Sequence, residues 1–480
     1  MNRRGIRCAL RAAVVGLLLF LPSDGWAARP DAISLPPLQE RWRLPEKMQL
    51  DNQVPLYLLT DERVPLVDVT VLLAFGRSAV PPDQSGLVEL VAEGLRSGGS
   101  LKRRPQQIDE DLDALAANLR VDSGPYSIEL HLSLLREDLA AGVALLAELV
   151  QQPRFDAERF AIARQQLQEN IRRRADQPQG AAQYLLTRQL YGSHPLGQPP
   201  TLATLATFDL EQVRAFYQRH AGPAHLWLAV SGAVDAGELL PLVNDAFGHW
   251  QAPVTAVPLP PLPPEAAAES LLVDRPLPQT TVLLAQRGID KDNPDLYAVQ
   301  VMNYILGGGG FNSRLMREIR SNRGLVYSVY SAFSVGRRLP GPFVAGCETR
   351  NDQVAEAVDL MRQEMERLRT ETVTAAELEL ARESLINAFI FVFADSHQLV
   401  RRVMEQDYYG FAPDYLQRYR QRIAAVSAED VRQVARRYLQ PQRQQLILVG
   451  AAESLHLPPG GPLRQVAVET LLSEVPVVSP

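Results

Sequence analysis

The 480-residue chain carries 49 Lys and Arg against 55 Asp and Glu, a net charge of −6, and 46% of its residues are hydrophobic. That length supports two or more domains with substantial cores, and the acidic balance gives no broad attraction to nucleic acid. Two cysteines exclude a cysteine metal cluster.

The chain opens with MNRRGIRCALRAAVVGLLLFLPSDGWAA: four arginines, an apolar run from Ala12 to Leu21, then small residues. Residues 1–27 are expected to be a secretory signal peptide cleaved after Ala27, because the apolar stretch is too short to span a bilayer comfortably. Cys8 precedes that run, so no lipid-anchoring cysteine follows it. Cleavage leaves Cys347 without a disulfide partner, and its setting, PFVAGCETR, suits a small core residue. No second apolar segment is long enough to cross a membrane. The expected location is a bacterial periplasm.

PLVDVTVLLAF from Pro65 and SIELHLSLL from Ser127 are predicted strands. SGLVELVAEGLRSGG from Ser85, DEDLDALAANL from Asp109 and REDLAAGVALLAELV from Arg136 are predicted helices. DLEQVRAFYQRHAG opens on an acidic cap at Asp209 and stops at Gly222. APVTAVPLPPLPPEAAA, residues 252–268, is a Pro-rich, semi-rigid linker. Beyond it TTVLLAQRG predicts a strand, while DLYAVQVMNYILGG and VAEAVDLMRQEMERLR predict helices.

LGGGGFNSRLMREIRSNRGLVYSVYS, Leu306 to Ser331, carries the most information. Gly307, Gly308, Gly309 and Gly310 mark a place where backbone bends or approaches something closely. The run behind them has helical spacing. Arg320 and Tyr327 are seven residues apart, about two turns, so both point the same way if the helix persists. A guanidinium and a phenol held together can grip a carbonyl oxygen or a carboxylate. A solvated basic helix after a glycine turn is the competing reading.

The chain also repeats itself. FDAERFAIARQQLQENI from Phe155 recurs as VTAAELELARESLINAF from Val373, and VRAFYQRHAGPAHLWLAVSG from Val213 as VRQVARRYLQPQRQQLILVG from Val431. Leu190-Tyr191-Gly192 is echoed by Tyr408-Tyr409-Gly410, and all these pairs differ by 218 positions. A period of that length is a duplicated domain, not a solenoid. The expected fold class is α+β: two homologous repeats, each an antiparallel-rich sheet packed with helices.

The Gly-rich segment with Arg320 and Tyr327 resembles the carboxyl-terminal half of the M16 (pitrilysin-like) metallopeptidases, in their two-domain bacterial and mitochondrial-processing-peptidase branch. The resemblance covers roughly residues 38 to 452. It implies an N-terminal domain over 38–251, a C-terminal domain over 269–455, and halves that face each other as a clamshell. It also implies that Arg320 and Tyr327 contact the substrate backbone beside the zinc; Gly307–Gly310 are candidate substrate-binding positions that either contact substrate or only turn the chain. Arg323 falls off the family's spacing.

Active members of that family carry His-x-x-Glu-His on the first helix after the opening strand, two imidazoles for zinc around a glutamate base. Here GLVELVAEGLRSGG places Glu89 and Glu93 at the histidine positions and Ala92 at the base. Downstream, ARQQLQENI places Asn170 at the last ligand and Ala163 at its supporting Glu; Glu93 and Asn170 are 77 positions apart, the spacing the family pair requires. Glu89 and Glu93 are then an exposed acidic helix face, since a carboxylate pair suits a hard cation better than zinc. His220 and His225 lack helical zinc spacing, the other five histidines are isolated, and none is assigned a role. Phosphate-loop, dinucleotide and nucleophile-elbow signatures are missing.

Three readings follow from the resemblance. The chain is the noncatalytic, substrate-binding subunit of a heterodimer with a zinc-bearing M16 homologue, holding no cofactor itself. Alternatively it is a stand-alone pseudopeptidase that binds unfolded or extended peptides, or a metallopeptidase with atypical ligands. None calls for nucleic acid or for a membrane span after signal cleavage.

Overall fold

The computed structural model describes residues 43–257, 259–457 and 463–473. The expected signal peptide, 1–27, and positions 38–42 of the expected N-terminal domain lie outside the described residues. A first sheet is formed by β1 (Glu46–Gln49), β2 (Pro55–Thr60), β3 (Leu66–Leu73), β4 (Asn118–Ser123), β5 (Ile128–Leu135) and β6 (Leu226–Gly232), in the order β1-β2-β6-β3-β5-β4, with buried and less buried residues alternating along β5. A second sheet contains β7 (Ser270–Asp274), β8 (Gln279–Arg287), β9 (Val326–Phe333), β10 (Pro342–Arg350), β11 (Gln445–Gly450) and β12 (Leu463–Gln465). Its order is β12-β7-β11-β8-β10-β9. The fold is therefore α+β in two homologous halves.

The duplication is visible strand by strand. β2 runs parallel to β6 as β7 runs parallel to β11, and the remaining inner pairs are antiparallel in both sheets. Only the outermost position differs. β1 pairs antiparallel with β2, whereas β12 arrives from the carboxyl-terminal end and pairs parallel with β7.

Seven helices position the features of interest: α1 (Leu87–Ser97), α2 (Ala157–Asp176), α3 (Pro178–Tyr191), α4 (Leu210–His220), α5 (Ala375–Phe389), α6 (Ser396–Tyr409) and α7 (Ala428–Tyr438). Side-chain caps start five of them, α2 and α4 to α7; Asp209 accepts from the Gln212 amide at 2.8 Å, and Ser427 from the Asp430 amide at 3.1 Å. One predicted helix is shorter than expected. The turn after Pro105–Ala114 puts Ala116 at φ 46°, and Asn118 and Leu119 enter β4 instead.

The two halves are joined by exchanged helices. α3, from the first half, packs on β8 and β11 of the second sheet; α6, from the second half, packs on β2 and β6 of the first. Ala182, Leu185 and Leu186 of α3 share one core with Leu271, Leu283 and Ile447. Covered on both faces, β8 is a continuous apolar run, not an alternating one. Each large apolar side chain buried there contributes on the order of 1.5–3 kcal/mol.

The α6 side of the exchange is more polar. Asp407 accepts from the Tyr57 hydroxyl at 2.6 Å and pairs with Lys47 at 2.5 Å, while Arg401 reaches Glu129 at 3.0 Å. His131 and His397, isolated in the sequence, converge here on Thr70. Its hydroxyl lies 3.0 Å from His131 Nδ1 and 3.3 Å from His397 Nε2. Burial, reinforced by Arg401, lowers His131 to about 3, and burial also lowers His397. Both imidazoles are held neutral, whereas the unfolded chain protonates them near 6.5. Stability should therefore decline as pH falls below about 6.5, by up to about 1.4 kcal/mol per pH unit for each imidazole. Urea titrations at pH 7.5 and 5.5 check this. His131→Asn should flatten the slope, and an unchanged slope would show that the seam does not sense protons.

Candidate functional site

The glycine run turns the chain between a helix and the segment that carries Arg320. A Cβ on Gly307 would lie 2.4 Å from the Ser331 amide nitrogen, so this buried glycine is spent on close approach to β9. Gly308 and Gly309 pack on Asn303 and Tyr304, and Gly310 makes the left-handed turn at φ 57°. Gly308 and Gly310 remain exposed at the rim.

Arg314 anchors the next segment. Its guanidinium is buried and grips Glu377 with two bonds, 2.8 and 2.9 Å, and Glu377 also caps the start of α5 by accepting from the Thr374 amide. A wide-turned helix, Met316–Asn322, then carries Arg320. It does not persist to Tyr327. Gly324 at φ 66° ends it, Val326 begins β9, and Tyr327 is the second residue of that strand. Arg320 and Tyr327 thus meet across a helix-to-strand turn, not along one helix face.

They do meet. The Arg320 guanidinium carbon lies 5.0 Å from the Tyr327 ring centroid and 4.6 Å from that of Phe311. Both rings face solvent, Tyr327 at 85% exposure and Phe311 at 73%. An arginine between two aromatic faces is restrained in orientation while its N–H groups stay available. Phe311 was not foreseen; its one sequence signal is a large aromatic placed directly after four glycines. Arg323 is differently engaged, with Glu318 at 3.3 Å and Glu356 at 3.6 Å.

In the first half, α1 packs on α2. Glu89 pairs with Arg77 at 3.7 Å, Ala92 is buried in the core, and Glu93 is half-buried. The acidic face is therefore only partly exposed, and Arg77 engages its Glu89. On α2, Ala163 is buried and Asn170 is exposed. This donor set does not fit zinc: it has no imidazole, one carboxylate is committed to Arg77, and the base position is a methyl group. Among the described residues, no three His, Cys, Asp or Glu side chains cluster as a metal site. No helix among them is long and apolar enough to cross a membrane.

The duplicated α+β architecture, with a sheet in each half and helices exchanged between them, defines a protein built from one repeated two-layer unit. The chain belongs to the M16 peptidase family. The model described as Insulinase (Peptidase family M16) matches residues 58–203, and that described as Peptidase M16 inactive domain matches residues 207–385. An uncharacterized zinc protease of Streptomyces coelicolor is 28% identical over 377 residues, covering 75% of this chain and 79% of that one. An uncharacterized zinc protease of Bacillus subtilis is 24% identical over 353 residues, covering 73% and 85%. Among solved structures, a peptidase M16 inactive domain from Pseudomonas fluorescens superposes with a TM-score of 0.78 at 23% identity, covering 86% of this chain and 100% of that chain. A protease from Helicobacter pylori gives 0.77 at 17% identity, covering 85% and 100%.

Proposed function

We propose that this chain is the substrate-holding, noncatalytic subunit of a heteromeric zinc peptidase, exported to the periplasm and acting on unfolded or extended peptides. One contrast within the chain carries this reading. Tyr327 is exposed and the half-buried Arg320 is held against its ring, whereas the zinc positions hold Glu89, Ala92, Glu93 and Asn170. A second M16 chain with an intact His-x-x-Glu-His supplies the zinc and the general base. Arg320 then holds a peptide carbonyl, and the Tyr327 hydroxyl donates to the oxygen that becomes negative as the bond is attacked. The names of the zinc-protease relatives support the reaction class.

Co-expression with such a homologue should give a stable 1:1 complex that cleaves unfolded peptides. If the two chains migrate separately at micromolar concentration and activity does not depend on mixing, the subunit reading gives way to that of a peptide-binding scaffold. The isolated chain should hold no stoichiometric zinc and show no chelator-sensitive peptidase activity. One equivalent of zinc by elemental analysis, with activity lost on chelation and restored by zinc, would overturn that expectation.

A further inference from the structure

Tyr327 also lines one side of a cavity of about 560 Å³. Its floor is the second sheet, from β8, β9 and β10; its far wall is the start of α3, the helix lent by the first half. Volume in this range suits a small ligand or a side chain of a bound peptide. The walls near Tyr327 are apolar or aromatic, from Leu283 and Tyr330, while the other side presents the amides of Gln179 and Gln183. Among the lining residues a single one is charged, Glu348.

Glu348 is set in place from both halves. Its Oε1 accepts from Gln179 Nε2 at 3.1 Å and lies 3.5 Å from the Thr281 hydroxyl. Arg350, two residues along β10, does not neutralise it, because its guanidinium is turned to Asp352 at 3.0 Å. The lining therefore combines apolar and aromatic surface, neutral donors and acceptors, and one negative charge. A long aliphatic stem ending in a cation matches that combination; an anionic side chain does not.

We propose that this cavity is a side-chain subsite that selects a lysine or arginine in the extended peptide held at Arg320 and Tyr327. The inference rests on the substrate-holding reading above and names the substrate class it handles. β9 is the edge strand of its sheet, and Tyr327, Ser328 and Tyr330 all face solvent along it. A peptide whose backbone lies at Tyr327 has neighbouring side chains within one or two residues of the cavity mouth, at about 3.3 Å per residue. Glu348 is then a specificity-determining residue and Gln179 its positioning residue.

Fluorescence anisotropy on the purified chain alone tests this without any partner. The probes are labelled Ala/Ser-rich dodecapeptides that differ at one central position: Lys, Arg, norleucine or Glu. The Lys and Arg peptides should bind at least about tenfold tighter than the norleucine peptide, and the Glu peptide weakest. Glu348→Gln should abolish the difference between Lys and norleucine, and Glu348→Lys should invert the preference toward the Glu peptide. Glu348 is exposed, so both variants should keep the parent melting temperature. Arg320→Ala should weaken all four peptides alike and leave the ratios intact. Equal binding of Lys and norleucine peptides, or ratios unmoved by Glu348→Lys, overturns the subsite even if Arg320→Ala still weakens binding. No binding of any peptide overturns both the subsite and the substrate-holding reading.

Discussion

Tyr327→Phe should lower turnover of the assembled peptidase by about 10²–10³, equivalent to about 3–4 kcal/mol of lost oxyanion stabilisation. Folding should change by less than about 0.5 kcal/mol. The ring is 85% exposed, and among the described residues its hydroxyl makes no hydrogen bond, so the substitution removes nothing the folded chain uses. The Arg320 guanidinium keeps both of its aromatic faces, because the Phe ring replaces the Tyr ring in place. Arg320→Ala should lower turnover and weaken peptide binding together, since it deletes a charged donor. Arg323→Ala is the internal control, its guanidinium being engaged with Glu318 and Glu356. Steady-state kinetics on the co-purified complex separate these outcomes. If Tyr327→Phe and Arg320→Ala both leave the complex fully active while Arg323→Ala abolishes activity, the site has been placed wrongly.

The duplication was legible because its register is rigid. α4 and α7 stand 218 positions apart at both ends, as do α3 and α6. The exchange of α3 and α6 between the halves was not, because periodicity shows which face a helix buries but not against which sheet. A trace of it existed in TTVLLAQ, whose unbroken apolar run needs cover on both faces. The condition that the helix persist to Tyr327 fails on local chemistry present in the sequence: Gly324 is a stop, and VYSVYSAF is a β-branched and aromatic strand pattern. The meeting of His131 with His397 left no signal at all. The two come from different halves, and no spacing rule links positions brought together by packing.

Glu377→Ala should be the costliest single change near the site, at about 3–5 kcal/mol, because it strands a buried guanidinium. The Arg314 side chain is only 5% exposed, and its two bonds to Glu377 fix the start of the segment that carries Arg320. Burial alone would raise the Glu377 carboxyl, but the bonds from Arg314 and Thr374 outweigh it and leave the group at about 2 against an ordinary 4.5. A carboxyl lowered in this way contributes its stability above the unfolded value and loses it as pH falls from about 4.5 through about 2. The penalty of Glu377→Ala, measured by urea unfolding, should therefore be the same at pH 8 and pH 6 and shrink only below about 4.5. The histidine seam begins to fail near 6.5, so the two contributions separate along the pH axis. Arg314→Met with Glu377→Leu removes both charges at once and should recover much of the stability, as an apolar pair of similar volume often does. If that double variant is as unstable as Glu377→Ala, the loss comes from the missing cap on α5, where Glu377 accepts from the Thr374 amide, and not from the stranded charge.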